Sequence, residues 1–251
     1  MFRKIFLAAA LMCLMFVSCL DTEEKISLNA DNSGTYQLNM DMGKMLEQMK
    51  AFMPQSDSLL PKDAQDKIVP LVELIDSTSP QQQALFKEGT MLVHSNQDSN
   101  ELSITFLVPF KNTKDLASIK QHLLEIIDLK KMSEGVSGAA GIGDEATKGM
   151  AVITPTNNGF KFSAGNHEIS NQLSNRTALD SILSDQSIQQ LRMLSFMGGI
   201  NYKTVFELPS PVKNYKGQAA NISDDRKTVT FTNTLNELFD TPDAFEYKVS
   251  W

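Results

Sequence analysis

Cysteine is almost absent from this chain: Cys13 and Cys19 are the two it contains, and both lie near its start. The body that follows therefore has no intramolecular disulfide, no Cys-x-x-Cys redox pair and no thiolate zinc site, so packing alone must hold it. Histidine is equally scarce, with three residues, His94, His122 and His167, each isolated in the sequence. No Gly-x-Ser-x-Gly pentapeptide occurs, which removes the usual serine-hydrolase elbow. Basic stripes are also missing. The 23 Lys and Arg against 30 Asp and Glu give a net charge of −7 spread along the chain, which excludes the phosphate-neutralising surface that a nucleic-acid partner needs. After Cys19 no apolar run approaches the roughly 20 residues of a transmembrane helix, while the 41% hydrophobic content is ordinary for a folded domain.

What the chain does have is a distinctive opening. Arg3 and Lys4 precede an apolar run from Ile5 to Val17, and Ser18-Cys19 stands where a small-residue cleavage site belongs. A run of about 13 residues rises only about 20 Å as a helix and falls short of a bilayer core, so it reads as a cleaved signal rather than a permanent span. Phe16-Val17-Ser18-Cys19 resembles the lipobox of bacterial lipoproteins, with Phe16 in place of the usual Leu. That resemblance implies cleavage before Cys19 and acylation of its thiol and new amino group. Two or three acyl chains pass the threshold for stable attachment at about 0.8 kcal/mol per buried methylene. The next residues, Leu20-Asp21-Thr22-Glu23-Glu24, are similar to the export tags of surface lipoproteins in Bacteroidota-type bacteria, and otherwise read as a solvated tether. The expected organisation is a signal over residues 1–18, an acidic tether over 19–25 and one domain over 26–251.

Along that domain, Ile26 and Leu28 alternate, then Tyr36, Leu38, Met40 and Met42, around Asp31-Asn32-Ser33-Gly34, which predicts a hairpin. Half a calcium loop is visible in the same turn, but no downstream bidentate Glu completes it. From Gly43 the period becomes helical through Met45, Leu46, Met49, Phe52 and Met53, up to Pro54. A second helix is expected over residues 64–75, with Pro70 kinking it or opening a new one, and Ser79-Pro80 reads as the start of another helical turn. Thr90–His94 and Glu101–Val108 read as paired strands, closed by Pro109. Leu116, Ile119, Leu123, Ile126 and Ile127 form the stripe of a helix that starts near Thr113, with His122 off the stripe.

Five glycines then gather between Ser133 and Gly149. A helix precedes them and a strand follows, the reverse of a phosphate-binding loop, so the 132–149 segment reads as a flexible linker or flap, and as the place where the domain would divide. Ala151–Thr154 and Phe160–Ala164 read as a hairpin, Thr177–Met197 as helical, and Asn201–Leu208, Lys227–Thr232 and Phe245–Trp251 as strands, the aromatics of the last all facing the core. The fold class is α+β: antiparallel hairpins forming a curved sheet with helices packed on one face.

Candidate chemistry is thin. His167-Glu168 begins a zincin pattern, but Asn171 stands where the second ligand belongs. Asp224-Asp225, beside Arg226 and Lys227, reads as an exposed turn rather than a metal site. No metal and no cofactor are expected. Met40, Met42, Met45, Met49 and Met53 form the candidate ligand-binding set, because methionine lines adaptable apolar pockets; a plain core face is the other reading of the same residues.

Tyr202–Val212, Ala219-Ala220-Asn221 and Ser223–Val229 are similar to a segment of LppM-like lipoproteins in which a Phe-x-Leu-Pro strand turns back after an Asp-rich turn. That resemblance covers roughly the last fifth of the chain. It implies a curved antiparallel sheet with a helix and a link to glycolipid binding, with no ligand residue carried across. The expected protein is a non-enzymatic envelope lipoprotein held at the outer membrane through lipidated Cys19, on its periplasmic or outer side, and binding an envelope lipid or a protein partner. A hydrolase of envelope polymers is the competing expectation.

Overall fold

A computed structural model describes residues 20–44, 64–75, 79–96, 98–126, 159–186, 188–189, 192–193, 195, 199–218 and 220–251. The expected helix at 45–53, the glycine-rich 132–149 segment and the strand at 151–154 lie outside them. The described residues form an α+β fold of two sheets with helices. The large sheet contains β1 (Leu20–Leu28), β2 (Gly34–Asp41), β3 (Gln65–Pro70), β4 (Thr90–Asn96), β5 (Glu101–Phe110), β8 (Ile200–Glu207), β10 (Ala220–Ile222) and β11 (Thr228–Thr234). Its order is β10-β11-β8-β1-β2-β5-β4-β3. Every neighbour is antiparallel except β1 and β8, which run parallel. The small sheet, β6-β7-β12-β9, comprises β6 (Phe160–Ala164), β7 (Glu168–Leu173), β9 (Asn214–Gly217) and β12 (Tyr247–Ser250). Among the described residues there are five α-helices: α1 (Leu71–Leu74), α2 (Pro80–Phe86), α3 (Thr113–Ile126), α4 (Arg176–Leu183) and α5 (Leu235–Asp240).

The β1–β2 hairpin forms where the alternation predicts it, with Ile26 opposite Tyr36 and Asn32 at φ 67 in the connecting turn. Gly34 is required there for a steric reason. A Cβ would meet the Ser27 carbonyl oxygen at 2.0 Å and the Phe110 ring at 2.7 Å. Leu102, Ile104, Phe106 and Val108 turn inward from β5 as expected, each no more than 5% exposed. Pro109 does not close β5. It pairs with Thr35 beyond the last β4 partner, so its missing N–H leaves no ladder bond unmade.

Two expectations are corrected. Residues 20–25, read as an acidic tether, form the first part of β1, because alternate side chains there reach the interior and the backbone is paired on both edges. Residues 65–70, read as helix, form edge strand β3, and the helix starts only after Pro70. Pro70 cannot donate to a ladder, and at the end of an edge strand it need not. Residues 160–164 form β6 and pair with β7, while the 151–154 half of the expected hairpin lies outside the described residues.

The small sheet and α3 share the inner face of the large one. Ile169, Tyr247, Val249 and Trp251 join one apolar cluster with Ile26, Leu38, Phe206 and Phe231 of the large sheet. Helix α3 lies against β2 and β5 and beside β6. A second cluster, with Leu179, Leu183, Ile188, Ile200, Tyr202, Leu235, Leu238 and Phe245, fills the space beyond the end of the sheet at which β1 and β8 begin. Two buried asparagines set the approach to β12: Asn171 donates to the Phe245 carbonyl and Asn233 to the Ala244 carbonyl, each at 3.0 Å. Phe245 itself lies in a 3-10 turn rather than the strand, yet Phe245, Tyr247 and Trp251 are all buried as the alternation predicts. Helix α5 starts with a capping box between Thr234 and Glu237, a Thr-x-x-Glu signal legible in the sequence.

The Gly34 contact gives a stability prediction with an internal control. Gly34→Ala should cost about 2–4 kcal/mol in urea denaturation, since the backbone has to move. Gly165→Ala, whose Cβ would come no closer than 3.6 Å to the Glu168 carbonyl, should stay within about 0.5 kcal/mol of the parent.

Candidate functional site

Strand alternation turns Thr22, Glu24, Ile26 and Leu28 of β1 to the interior and Asp21, Glu23, Lys25 and Ser27 outward. Glu24 thus delivers a carboxylate into the layer between the sheets. Opposite it, α3 supplies Lys120, which occupies the i+4 place in the buried stripe Leu116, Ile119, Lys120, Leu123. Lys120 Nζ donates to both Glu24 carboxylate oxygens. The ammonium also lies over the Phe162 ring, 4.8 Å from its centroid, so β6 covers the cation with an aromatic face.

Two phenols complete the surroundings. The Tyr36 hydroxyl donates to Glu24, and burial, reinforced by the Glu24 charge, holds it protonated well above the ordinary phenol range. Tyr247 is raised by the same two causes, burial first. Burial pushes the Lys120 ammonium downward, against the attraction of Glu24. The Tyr247 hydroxyl and the Thr22 Oγ1, two residues along β1 from Glu24, are buried without a hydrogen-bond partner.

Desolvating two ions costs several kcal/mol each, and here two charge-assisted hydrogen bonds, a phenol donor and a ring face offset that cost. The side chains of Lys120 and Glu24 are 1% and 12% exposed, so nothing reaches them unless the layers part. The cluster therefore acts as a polar fastener between α3, β1 and β6 rather than as a proton-transfer centre. Its signal in the sequence was a lysine inside an apolar helical stripe and a glutamate at the inward parity of β1.

Along β1 and β8 the outer face of the large sheet is polar, whereas Ile68, Leu92 and Leu107 are exposed on β3, β4 and β5. Lys25 pairs with Glu207 at 2.7 Å, Lys203 with Glu23 at 2.9 Å, and Asn201 Nδ2 donates to Asp21 at 3.0 Å across the parallel β1–β8 ladder. Near the β3 edge, His94 lies between two carboxylates, with Nδ1 2.6 Å from Asp66 and Nε2 3.3 Å from Glu101. Those hydrogen bonds, to Asp66 first and then Glu101, raise its pKa. Glu101, which also accepts from Ser99 Oγ at 2.7 Å, is lowered, by Ser99 first and then His94.

Of the sequence-predicted site residues, Met40 and Met42 are described. Met40 is fully buried between Thr22 and Ile104, and Met42 is half-buried where the two apolar clusters meet. Cys19, Met45, Met49 and Met53 lie outside the described residues. His167 is exposed in the turn before β7, its ring edge-on to Trp251 with centroids 6.3 Å apart, and Glu168 opens a strand, so the pair is not on a helix as a zincin requires. Asp224 and Asp225 lie in a turn, where Asp225 accepts from Ser223 Oγ and from the Lys227 N–H, and these bonds lower its pKa. Among the described residues no group of His, Cys, Asp and Glu is arranged to hold a metal ion, and no helix is long and apolar enough to cross a membrane.

Two outcomes check this account. Lys120→Met leaves a buried carboxylate uncompensated and should lower stability by about 3–5 kcal/mol in urea denaturation, whereas Glu24→Leu combined with Lys120→Met should lose less than the single Lys120→Met. A histidine raised in the folded state stabilises fully below its unfolded pKa, and that contribution disappears as pH rises through the folded value. The stability difference between parent and His94→Gln should therefore be larger at about pH 5 than at about pH 8.5, with hydrogen exchange in β3 following the same trend.

No protein-family model matches the chain, and no curated protein matches it in sequence. A solved structure that matches is the NMR structure of the folded domain of Mycobacterium tuberculosis LppM, with 9% identity over 94% of this chain and 91% of that one, at a TM-score of 0.39. A likeness this loose carries no conclusion about fold or activity.

Proposed function

We propose that the protein is a non-enzymatic envelope lipoprotein, cleaved after Ser18, acylated on Cys19 and held at the outer membrane, on its periplasmic or outer side. The observation that carries this reading is Cys19 itself, which closes a short apolar run behind Arg3 and Lys4 and directly precedes the first residue of a folded strand. The body after Cys19 is proposed to be one α+β domain that binds an amphiphile or a protein partner. Met42, at the boundary of the two apolar clusters, is the proposed entry to that ligand site, with Met45, Met49 and Met53 continuing its lining.

Cys19→Ala should move the full-length protein from the membrane fraction to the soluble envelope fraction and abolish metabolic labelling with a tagged fatty acid. Unchanged sedimentation of the Cys19→Ala protein with membranes would sink the anchoring. Binding is tested separately by native mass spectrometry of the acylated protein with extracted envelope lipids, where Met42→Asp should reduce lipid adducts while retaining a cooperative unfolding transition. Retained adducts in that variant would remove Met42 from the site.

A further inference from the structure

Acylated Cys19 would be joined to a folded strand with no tether between them. Residue 20 is already in β1, paired on one edge with β8 through Leu20 and Ile200 and on the other with β2 through Asp21 and Asp41. Cα atoms across one peptide bond are about 3.8 Å apart, so the acyl chains can stand no farther from the sheet than a residue or two allows. From the structure we infer that the end of the domain where β1 begins is seated on the lipid surface, in one fixed orientation. This inference rests on the anchoring reading of Cys19.

The strand register defines that end. Asp21, Asp41, Ser103 and Asn201 lie level with each other on β1, β2, β5 and β8, and Thr234 closes β11 beside Asn201. Lys44, half-exposed, reaches back to Asp21 at 3.8 Å. Beyond the strand ends lies the second apolar cluster, with Ile188, Ile200, Leu235 and Leu238. At this end too is Met193, 70% exposed, the most exposed of the large apolar side chains described. Its neighbours tie it to this end: Arg192 pairs with Asp240 at 2.6 Å and Ser195 Oγ meets Asn236 at 3.1 Å, both on or beside α5, which follows Thr234 directly. An exposed methionine at the end of the domain where β1 begins suits insertion at the headgroup boundary.

The opposite end is remote. β1 has nine residues and advances about 26 Å at roughly 3.3 Å per residue, which carries the Asn29–Ser33 turn well beyond the interface. Ala30, exposed in that turn, marks the far end.

Because Cys13 leaves with the signal and the Cys19 thiol is consumed by acylation, a single introduced cysteine is the one thiol free for labelling. Full-length Lys44→Cys, Met193→Cys and Ala30→Cys proteins, acylated in the host, are labelled with an environment-sensitive fluorophore. They are reconstituted into phosphatidylethanolamine–phosphatidylglycerol vesicles containing a doxyl-labelled lipid. Probes at 44 and 193 should be quenched by about two-fold or more, while the probe at 30 stays unquenched. Inserting ten Gly and Ser residues after Cys19, a coil of about 17 Å, should erase much of the difference between the ends. Equal quenching of all three probes on the tetherless protein, or stronger quenching at 30, overturns the orientation while leaving the anchor intact. Absence of acyl mass on Cys19 together with failure to bind vesicles overturns the anchor, and the orientation with it.

Discussion

The parallel pairing of β1 with β8 is the constraint on which the rest of the molecule depends. It brings the residues directly after Cys19 into register with residues 200–207 and leaves β2 on the other edge, so the first described strand is an interior strand of the large sheet. Both polar edges of β1 are thereby satisfied. Its inward side chains reach the core, while its outward ones form the ion pairs across to β8. Contacts separated by about 180 residues carry a high closure entropy, so β1 stays in place only if the whole assembly forms. A chain without disulfides gains a cooperative fold by this route.

Given that strand, the buried Glu24–Lys120 pair follows from parity. Inward positions on β1 alternate Thr22, Glu24, Ile26, Leu28, and a carboxylate at the second of them needs a cation from whatever covers it. Helix α3 provides Lys120 and the small sheet provides Phe162 and Tyr247. Three elements from distant parts of the chain converge on one charge. An apolar isostere at the same place would pack without regard to partner. The ion pair is satisfied only when α3 sits in one register against β1, so it selects an arrangement while adding little net stability.

Regular patterns were legible in the sequence, and interrupted ones were not. The β1–β2 and β4–β5 hairpins, α3, β8 and the inward aromatics near the C-terminus follow from period and turn residues, since each has one apolar face. β3 was hidden because an edge strand of six residues with one buried side chain shows no alternation. β7 was hidden because Asn171 occupies an inward position and breaks the apolar pattern, its burial compensated by a bond to the Phe245 carbonyl that no local rule foresees. The acidic run after Cys19 misled for the same reason. Its composition is that of a tether, and only the partner charge on α3, 96 residues away, explains why Glu24 is inside. Methionines told little, since Met40 is core and chemistry cannot be read from a residue that fills gaps equally well.

The interior place of β1 also sets how a load applied along that strand would enter the domain. A pull at Leu20 acts along β1, toward its N-terminal end, and the ladders to β2 and β8 lie across that direction on both edges. Hydrogen bonds arranged this way must shear together rather than open one after another, because no single pair can separate while its neighbours hold. The buried Glu24–Lys120 bonds and the β1–β8 ion pairs resist the same displacement, since sliding β1 by one residue would expose Ile26 and Leu28 and turn Lys25 inward. An anchor on an edge strand such as β3 would instead unzip its bonds singly. A load applied at the start of β1 thus meets a strand hydrogen-bonded along both edges.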